Sequence, residues 1–399
     1  MNTSPQHPTD PRLDRLRGAA APRRHNARTI AALTTNPGCA RRAVLDTAGV
    51  DKDALARHVG FPAPFGQSQF AITRGNAFEA QLKADGCAEL LQLLRETLGL
   101  DLAEAAYTDL EDVGGVDTQE VRHRHSVQKL THAADDSGTL FDHPLLRLPV
   151  AGEHVYLEPD LVAFAHEGVF HVVEIKSFAV IDGQADPDKV AAAAIQSAVY
   201  VLALRRLLGR DDVVSPDVVL VCPADFSNRP VATKVDVRKQ LIILEHQLRR
   251  LTRVEALLDL LPPGLTLDLE PDERGHPTRS TAELTAALGT LDARYAPGCL
   301  SSCELGFFCR DEAGGRTDAL GTSVREQLGG VETVAEALAI ADGTWDVPDE
   351  QAEAAARLRA SARVYADALT GRAPAPTAVP ALSVVPALPP AAPLPVVAP

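Results

Sequence analysis

Two short runs of the sequence carry an aspartate, a glutamate and a lysine at a spacing that suits metal-dependent hydrolysis. The run EPD ends at Asp160, and after thirteen further residues the run EIK spans Glu174 to Lys176. Two carboxylates from neighbouring strands can hold a hard divalent cation and leave positions open for water and a phosphate oxygen. A nearby lysine can orient or deprotonate the attacking water and stabilise the developing charge. The spacing therefore predicts the smallest set of residues that a metal-dependent phosphodiesterase needs.

The elements that must position these residues are predicted to be two paired strands. Residues 154–164 and 169–178 are rich in β-branched and aromatic residues, and residues 166–168 are typical of a hairpin turn. Side chains alternate along a strand, so Glu174 and Lys176 should share a face. An isolated E-x-K pair is more often a solvated ion pair than a catalytic one. Here the flanking residues are apolar, which favours a buried and functional pair.

Three further segments complete the candidate core. An alanine-rich run at 188–208 predicts a helix on which Gln196 and Tyr200, four residues apart, share one face. Residues 217–223 (DVVLVCP) predict a strand after that helix. Upstream, the run RGNAFE places Gly75 four residues before Glu79, at the start of a predicted helix.

In this order and spacing the motifs resemble the RecB-like branch of the PD-(D/E)xK nuclease superfamily. The resemblance implies an α/β fold with a restriction-endonuclease-like core of αβββαβ order, plus helical additions. It also implies Mg²⁺ or Mn²⁺ as the cofactor, with Asp160 and Glu174 as metal ligands and Lys176 positioning the water. Many relatives have histidine where this chain has Glu79, which would be a further carboxylate ligand. Gln196 and Tyr200 would hold the substrate or support the site.

The cysteines form a second pattern. Cys299, Cys303 and Cys309 lie close together as C-x3-C-x5-C, whereas Cys39 lies far upstream. The sequence shows no secretory signal peptide, so we expect a metal site and not a disulfide framework. Buried cysteines near Phe307 and Phe308 are the simpler alternative. The other two cysteines, Cys87 and Cys222, are interpreted as packing residues.

The cysteine order also resembles the iron–sulfur members of the same nuclease family, which place one cysteine before the core and three after it. The resemblance implies a [4Fe–4S] cluster bound by Cys39, Cys299, Cys303 and Cys309. The usual spacing of the trio is C-x2-C-x5-C, and the extra residue here leaves Zn²⁺ as the alternative metal.

Composition is that of a soluble, cytoplasmic enzyme, but the charge argues against nucleic-acid binding. The 399 residues carry a formal net charge of −15, and affinity for DNA depends largely on neutralising phosphates. Basic residues nevertheless concentrate in residues 1–43 and on a helix predicted to include residues 234–253. These could follow a DNA backbone, or they could simply be solvated. The histidine-rich run at 123–125 is interpreted as a solvated loop or edge strand. No apolar run is long enough to cross a bilayer.

We predict six regions along the chain. They are a disordered segment (1–28), a cluster-ligand segment (29–70), the nuclease core (71–227), a helical region with the cysteine trio (228–345), a C-terminal helix (346–370) and a disordered Pro/Ala-rich tail (371–399).

The expected function is cleavage of DNA, as single strands or duplex ends, by an exonuclease that serves DNA repair, recombination or defence against foreign DNA. Protein partners in such a complex are possible, and a membrane partner is not expected. One alternative is a non-catalytic DNA-binding or scaffolding relative with a structural Fe–S or Zn site. Another is a zinc-stabilised interaction protein that recruits a partner through its proline-rich tail.

Overall fold

The computed structural model describes most of the chain and divides it into two compact units. The units are Met1–Gly314 and Gly315–Pro399, so the predicted helical region 228–345 crosses a unit boundary that the sequence did not indicate. The described residues are 11–63, 69–99, 106–111, 118–133, 139–150, 153–164, 168–225, 227–251, 258–259 and 261–370. The predicted disordered tail, 371–399, lies outside them.

The first unit is a mixed α/β structure. Its described helices are α1 (Pro11–Arg17), α2 (Ala27–Thr35), α3 (Ala40–Ala48), α4 (Lys52–His58), α5 (Gln69–Leu98), α6 (Gln119–His132), α7 (Pro187–Leu208), α8 (Arg238–Leu251), α9 (Thr281–Gly289), α10 (Cys299–Ser302) and α11 (Gly306–Glu312). Its described strands are β1 (Ala106–Asp109), β2 (Thr139–Asp142), β3 (Leu146–Val150), β4 (Glu153–Leu157), β5 (Leu161–Phe164), β6 (Phe170–Ile175), β7 (Asp217–Pro223) and β8 (Pro230–Asp236).

Six strands form one sheet in the order β1-β2-β5-β6-β7-β8, and β3 pairs with β4 in a separate two-stranded sheet. Strand β5 lies between β2 and β6 and runs antiparallel to both. Strand β7 then runs parallel to β6, and the long helix α7 provides the crossover connection that parallel strands need. The predicted pairing of the Asp160 and Glu174 strands is thereby confirmed.

Helix α7 agrees closely with its prediction because its sequence sets both ends. Asp186 caps the first turn through its side chain, Pro187 occupies the first position, and Gly209 ends the helix in the left-handed conformation (φ +68°). By length and hydropathy α7 is the one described helix that could cross a bilayer, contrary to the expectation from sequence. However, 56% of its apolar window is buried inside the protein, as in the core helix of a globular domain.

The central strands are buried on both faces. Val172 packs into the hydrophobic cluster that contains the apolar residues of α7, whereas Val173 packs with Phe78 and Leu82 of α5. Successive strand residues point to opposite faces, so α7 covers one face of the sheet and α5 the other. Glu174, two residues after Val172, therefore lies on the α7 face.

Some predicted boundaries were wrong. The predicted strand 154–164 is interrupted at residues 158–160, since β4 and β5 belong to different sheets. Pro159 lies at this break, where a residue without a backbone N–H donor costs no ladder hydrogen bond. Lys234 belongs to strand β8 and not to the basic helix, which begins at Arg238. The hairpin turn at 166–168 lies mostly outside the described residues.

Two segments predicted to lack regular structure are helical. Residues 11–17, within the predicted disordered segment, form α1 because Leu13 and Leu16 on one side are buried. The histidine-rich run belongs to α6, where His123 is buried and its Nδ1 lies 2.8 Å from the carbonyl oxygen of Leu145. This contact to the start of β3 fixes the run as a helix and not as a solvated loop.

The second unit is helical in its described part. It contains α12 (Thr322–Gln327), α13 (Val334–Ala341) and α14 (Ala352–Leu369), with short 3₁₀ turns at Thr317–Leu320 and Asp349–Gln351. Val331, Ala337, Ile340 and Ala355 form its small core. The predicted alanine-rich C-terminal helix is thus confirmed as α14.

Candidate functional site

Asp160 and Glu174 lie side by side at neighbouring strand ends. Asp160 directly precedes β5, and the antiparallel register with β6 brings it opposite Glu174. Asp160 Oδ2 accepts a hydrogen bond from the backbone N–H of Ile175 at 2.7 Å. Lys176 Nζ donates to Glu174 Oε1, which confirms that the glutamate and the lysine share a face.

The electrostatics of this group show a shortage of positive charge. Burial, and then the neighbouring Asp160 carboxylate, raise the pKa of the fully buried Glu174 to about 8. Burial also raises the pKa of Asp160. Burial disfavours the Lys176 ammonium, but the two carboxylates outweigh this and raise its pKa. Among the described residues, none gives Glu174 Oε2 a hydrogen bond. A bound cation would supply the missing charge.

Gln196 and Tyr200, which were predicted to share a face of α7, contact each other near Glu174. Gln196 Nε2 donates to the Tyr200 hydroxyl at 3.0 Å. Tyr200 is buried, and burial raises its pKa well above the usual value. The Glu174 carboxylate raises that pKa further, so the phenol stands within electrostatic reach of the candidate metal ligand.

Glu79 approaches the site from α5, on the other side of the sheet. A Cβ placed on Gly75 would lie 3.7 Å from Ser177 Cβ, which shows how closely α5 approaches the end of β6. Negative charge on Glu79 raises the pKa of Asp160 and of Glu174. The Glu79 carboxylate itself is engaged elsewhere, as its partners show.

Glu79 belongs to a compact ionic network. Lys83 Nζ lies 2.5 Å from Glu79 Oε1 and 2.6 Å from Asp142 Oδ1. The His143 ring stands between the carboxylates, with Nδ1 2.9 Å from Asp142 Oδ1 and Nε2 3.4 Å from Glu79 Oε1. The Tyr107 hydroxyl donates to Asp142 Oδ2.

In this network, unlike in the Asp160 group, each carboxylate already has a cationic partner. The hydrogen bond from His143 lowers the pKa of Glu79 to about 2. Burial would raise the pKa of Asp142, but hydrogen bonds from His143 and Lys83 lower it to about 2. Hydrogen bonds to Asp142 and Glu79 raise the pKa of His143 to about 10. The two carboxylates here are already neutralised.

Sequence reasoning missed most of this network. Lys83 could have been found, because it follows Glu79 by four residues on a predicted helix and i,i+4 side chains meet. Asp142 and Tyr107 lie on strands β2 and β1, which the motifs did not identify. Their contact depends on parallel pairing between distant segments.

The cysteine trio and Cys39 come together from the two ends of the first unit. Cys39 precedes α3, whereas Cys299 begins α10 and Cys309 lies in α11. All three members of the trio are buried, and Cys39 is partly exposed. Burial raises the pKa of Cys309 to about 12, and the thiols of Cys303 and Cys39 raise it as well. These thiols therefore lie within electrostatic reach of one another.

Side chains on either side of Cys39 donate to the sulfurs of the trio. Asn36 Nδ2 donates to Cys299 Sγ at 3.2 Å, and Arg41 Nη1 donates to Cys309 Sγ at 3.3 Å. Arg41 also forms a bidentate pair with Glu312, both contacts at 2.8 Å. Donors aimed at sulfur stabilise thiolate, the form that binds metal.

The chemistry of both donor sets fits the metals that the resemblance implies. Carboxylates suit Mg²⁺ or Mn²⁺, and thiolates suit zinc or iron–sulfur clusters. Among the described residues, the buried Glu174 Oε2 has no hydrogen-bond partner, which favours a cation beside it. The N–H donors to the cysteine sulfurs favour thiolates, which bind metal. Within the described ranges, no three His, Cys, Asp or Glu side chains are already arranged to hold a metal ion. Coordination at either place therefore requires the side chains to converge.

Several basic residues predicted to follow DNA are occupied by protein contacts. Arg41 and Arg42 are buried beside the cysteines. Lys234 lies 3.5 Å from Asp217, and Arg238 is paired with the aspartate two residues before it. These four side chains do not contribute a free basic surface.

Comparisons with protein-family models, with curated proteins and with solved structures give no match.

Proposed function

We propose that the protein is a Mg²⁺- or Mn²⁺-dependent deoxyribonuclease of the PD-(D/E)xK type that acts on single strands or duplex ends. One observation carries the proposal. Asp160, Glu174 and Lys176 meet at adjacent strand ends, with Glu174 fully buried and two carboxyl groups beside one ammonium. With β1, α6, β3 and β4 treated as additions, the remaining elements follow the order α5-β2-β5-β6-α7-β7, which supports an αβββαβ core.

The residues divide the work. Asp160 and Glu174 would hold the cation, and Glu79, which is paired with Lys83, would complete the carboxylate set as a negative charge beside it. A bound Mg²⁺ or Mn²⁺ lowers the pKa of water and neutralises charge on the phosphate. Lys176 is an ammonium, so its role is to orient the attacking water and to stabilise negative charge on the phosphate oxygens, and not to act as the base.

The α7 pair acts through Glu174. Tyr200, held by Gln196, lies within electrostatic reach of Glu174 and would close the site from the α7 side. Gln196 is the more accessible member of the pair, which suits a contact to the substrate.

At the cysteines we propose a [4Fe–4S] cluster, with Zn²⁺ as the alternative metal. Cys39, Cys299, Cys303 and Cys309 would hold it. Such a centre would tie the segment before the core to the segment after it, and it would stabilise the first unit. The nuclease would then serve DNA repair, recombination or defence against foreign DNA in the cytoplasm.

The test uses the anaerobically purified full chain and end-labelled DNA, single- and double-stranded, with Mg²⁺, Mn²⁺ or EDTA. Asp160→Ala and Lys176→Ala are compared with wild type, and Asp188→Ala, an exposed aspartate at the start of α7, serves as the matched control. We expect metal-dependent cleavage by wild type and control, and loss to the EDTA background in the two site variants with DNA retention unchanged.

Undiminished cleavage by Asp160→Ala would refute the proposal. Folded, metal-loaded protein that retains DNA without cutting it would identify the non-catalytic DNA-binding alternative. Iron, sulfide and zinc analysis of the same sample decides the metal at the cysteines.

A further inference from the structure

Lys83 occupies a position that resembles a cation site. Its Nζ lies 2.5 Å from Glu79 Oε1, 2.6 Å from Asp142 Oδ1 and 3.3 Å from His143 Nδ1. Two carboxylates and an imidazole are donors that divalent cations such as Mn²⁺ accept. The Lys83 ammonium donates to Glu79 Oε1 and forms an ion pair with Asp142 Oδ1, beside the His143 ring. The side chain is only 13% exposed, so its charge serves the protein interior.

The surroundings hold this arrangement in place. The Tyr107 hydroxyl donates to the second oxygen of Asp142. The backbone N–H of His143 lies 3.4 Å from the carbonyl oxygen of Asp160, which joins the network directly to the candidate active site. Lys83 therefore stands next to the proposed cation position and not in a remote salt bridge.

The charges on the two sides differ. Lys83 and the His143 ring stand against the carboxylates of Glu79 and Asp142. The carboxylates of the neighbouring pair share a single ammonium, and in the described part of the chain one oxygen of Glu174 has no hydrogen-bond partner. Asp142 Oδ1 is likewise without a well-aligned hydrogen bond among the described residues, but it lies 2.6 Å from Lys83 Nζ and 2.9 Å from His143 Nδ1, so two basic side chains compensate its charge without a metal.

We infer that Lys83 is a built-in counter-cation that fills the position between Glu79 and Asp142. The chain then binds one divalent cation, at Asp160 and Glu174, and not two. This inference rests on the proposed function for that single cation. Glu79 would act chiefly as a fixed negative charge beside the metal, with Lys83 as its positioning residue.

The test counts bound Mn²⁺ on the full chain, stripped of loosely bound metal, by equilibrium dialysis and electron paramagnetic resonance. We expect one Mn²⁺ in wild type and none in Asp160→Asn. Lys83→Met removes the ammonium and leaves the two carboxylates and the imidazole, so we expect two Mn²⁺, with line broadening from two nearby ions. Lys83→Arg keeps the charge and should bind one.

Stability provides a second readout. Lys83→Met leaves two partly buried carboxylates without their cation, which is destabilising, so Mn²⁺ should raise its melting temperature more than that of wild type. If Lys83→Met does not fold without metal, Lys83→Gln replaces it, because its amide can donate to a carboxylate while carrying no charge.

Each outcome has one meaning. Two Mn²⁺ in wild type, or one Mn²⁺ in the folded neutral variants at position 83, overturns the inference. No Mn²⁺ in wild type overturns the proposed nuclease site itself and is thereby distinguished from failure of the inference.

Discussion

Replacing Glu174 by glutamine should stabilise the metal-free protein while removing its response to metal. Glu174 is fully buried and has a pKa of about 8, against an ordinary value of 4.5. Glutamine has the shape of the protonated carboxyl group. It can accept from Lys176 as Glu174 does, and it has no charge to desolvate.

The expected magnitude follows from proton linkage. A pH of 7 is about 2.5 units above the ordinary pKa of Glu174, yet the folded protein must keep this carboxyl group largely protonated at that pH. Each unit corresponds to 1.36 kcal/mol, so the cost is about 3 kcal/mol. Because the folded pKa is raised, the cost is absent well below pH 4.5 and grows as the pH rises towards 8. At pH 5 it should be under about 1 kcal/mol.

The assay is urea unfolding in EDTA at pH 5, 6, 7 and 8, followed by circular dichroism, with equal metal content at the cysteines. Glu174→Gln should be more stable than wild type by about 3 kcal/mol at pH 7, and the difference should shrink at pH 5. The control is Glu120→Gln, whose side chain is exposed at the start of α6, expected within about 0.5 kcal/mol of wild type. Added Mn²⁺ should stabilise wild type and not Glu174→Gln. A pH-independent difference, or a destabilised Glu174→Gln, would refute the reasoning.

Three further changes have definite expected results. Asp46→Asn should lower the free energy of unfolding in urea at pH 7 by about 3–5 kcal/mol, because it leaves the buried Lys52 without its full counter-charge. Since the pKa of Asp46 is lowered, wild type should lose this advantage as the pH falls below about 4. A constant difference down to pH 2 would contradict this reasoning. Gly306→Ala should lower the iron or zinc content of the purified protein, because its Cβ would lie 2.5 Å from a carbonyl oxygen in the cysteine trio, whereas Gly289→Ala meets nothing within 4 Å and should keep full metal content. Tyr200→Phe removes the hydroxyl that accepts the hydrogen bond from Gln196 on α7. Since one neutral hydrogen bond contributes about 1 kcal/mol, the cleavage rate should fall by about tenfold or less, with metal affinity nearly unchanged. A complete loss of cleavage would instead give the phenol a direct role.

Local sequence signals predicted the parts of the site that lie on continuous elements. Helix α7 and strand β7 appear at nearly the predicted residues, because caps, alanine content and β-branched runs act within a few residues. The E-x-K contact follows from the alternation of side chains along one strand.

Long-range pairing could not be predicted in the same way. The break at Pro159 arises because β4 pairs with β3 in a separate sheet, and nothing in the local pattern distinguishes the two strands. The contact between Lys83 and Asp142 joins residues 59 positions apart. Arg41 and Arg42 were expected on a basic surface because composition does not show that Glu312 and Asp46 lie ready to pair with them.

The hydrogen bonds that join Asn36 and Arg41 to the cysteine trio affect the order in which the protein matures. After Cys39, a ribosome must add 270 residues to reach and include Cys309, which takes about 15–55 s at about 5–20 residues per second. During that interval Arg41 has been synthesised but Glu312 and the thiol of Cys309 have not, so these contacts must wait. The segment around Cys39 is synthesised early but reaches its final structure late. Delivery of the proposed metal to the cysteines would therefore follow synthesis of Cys309.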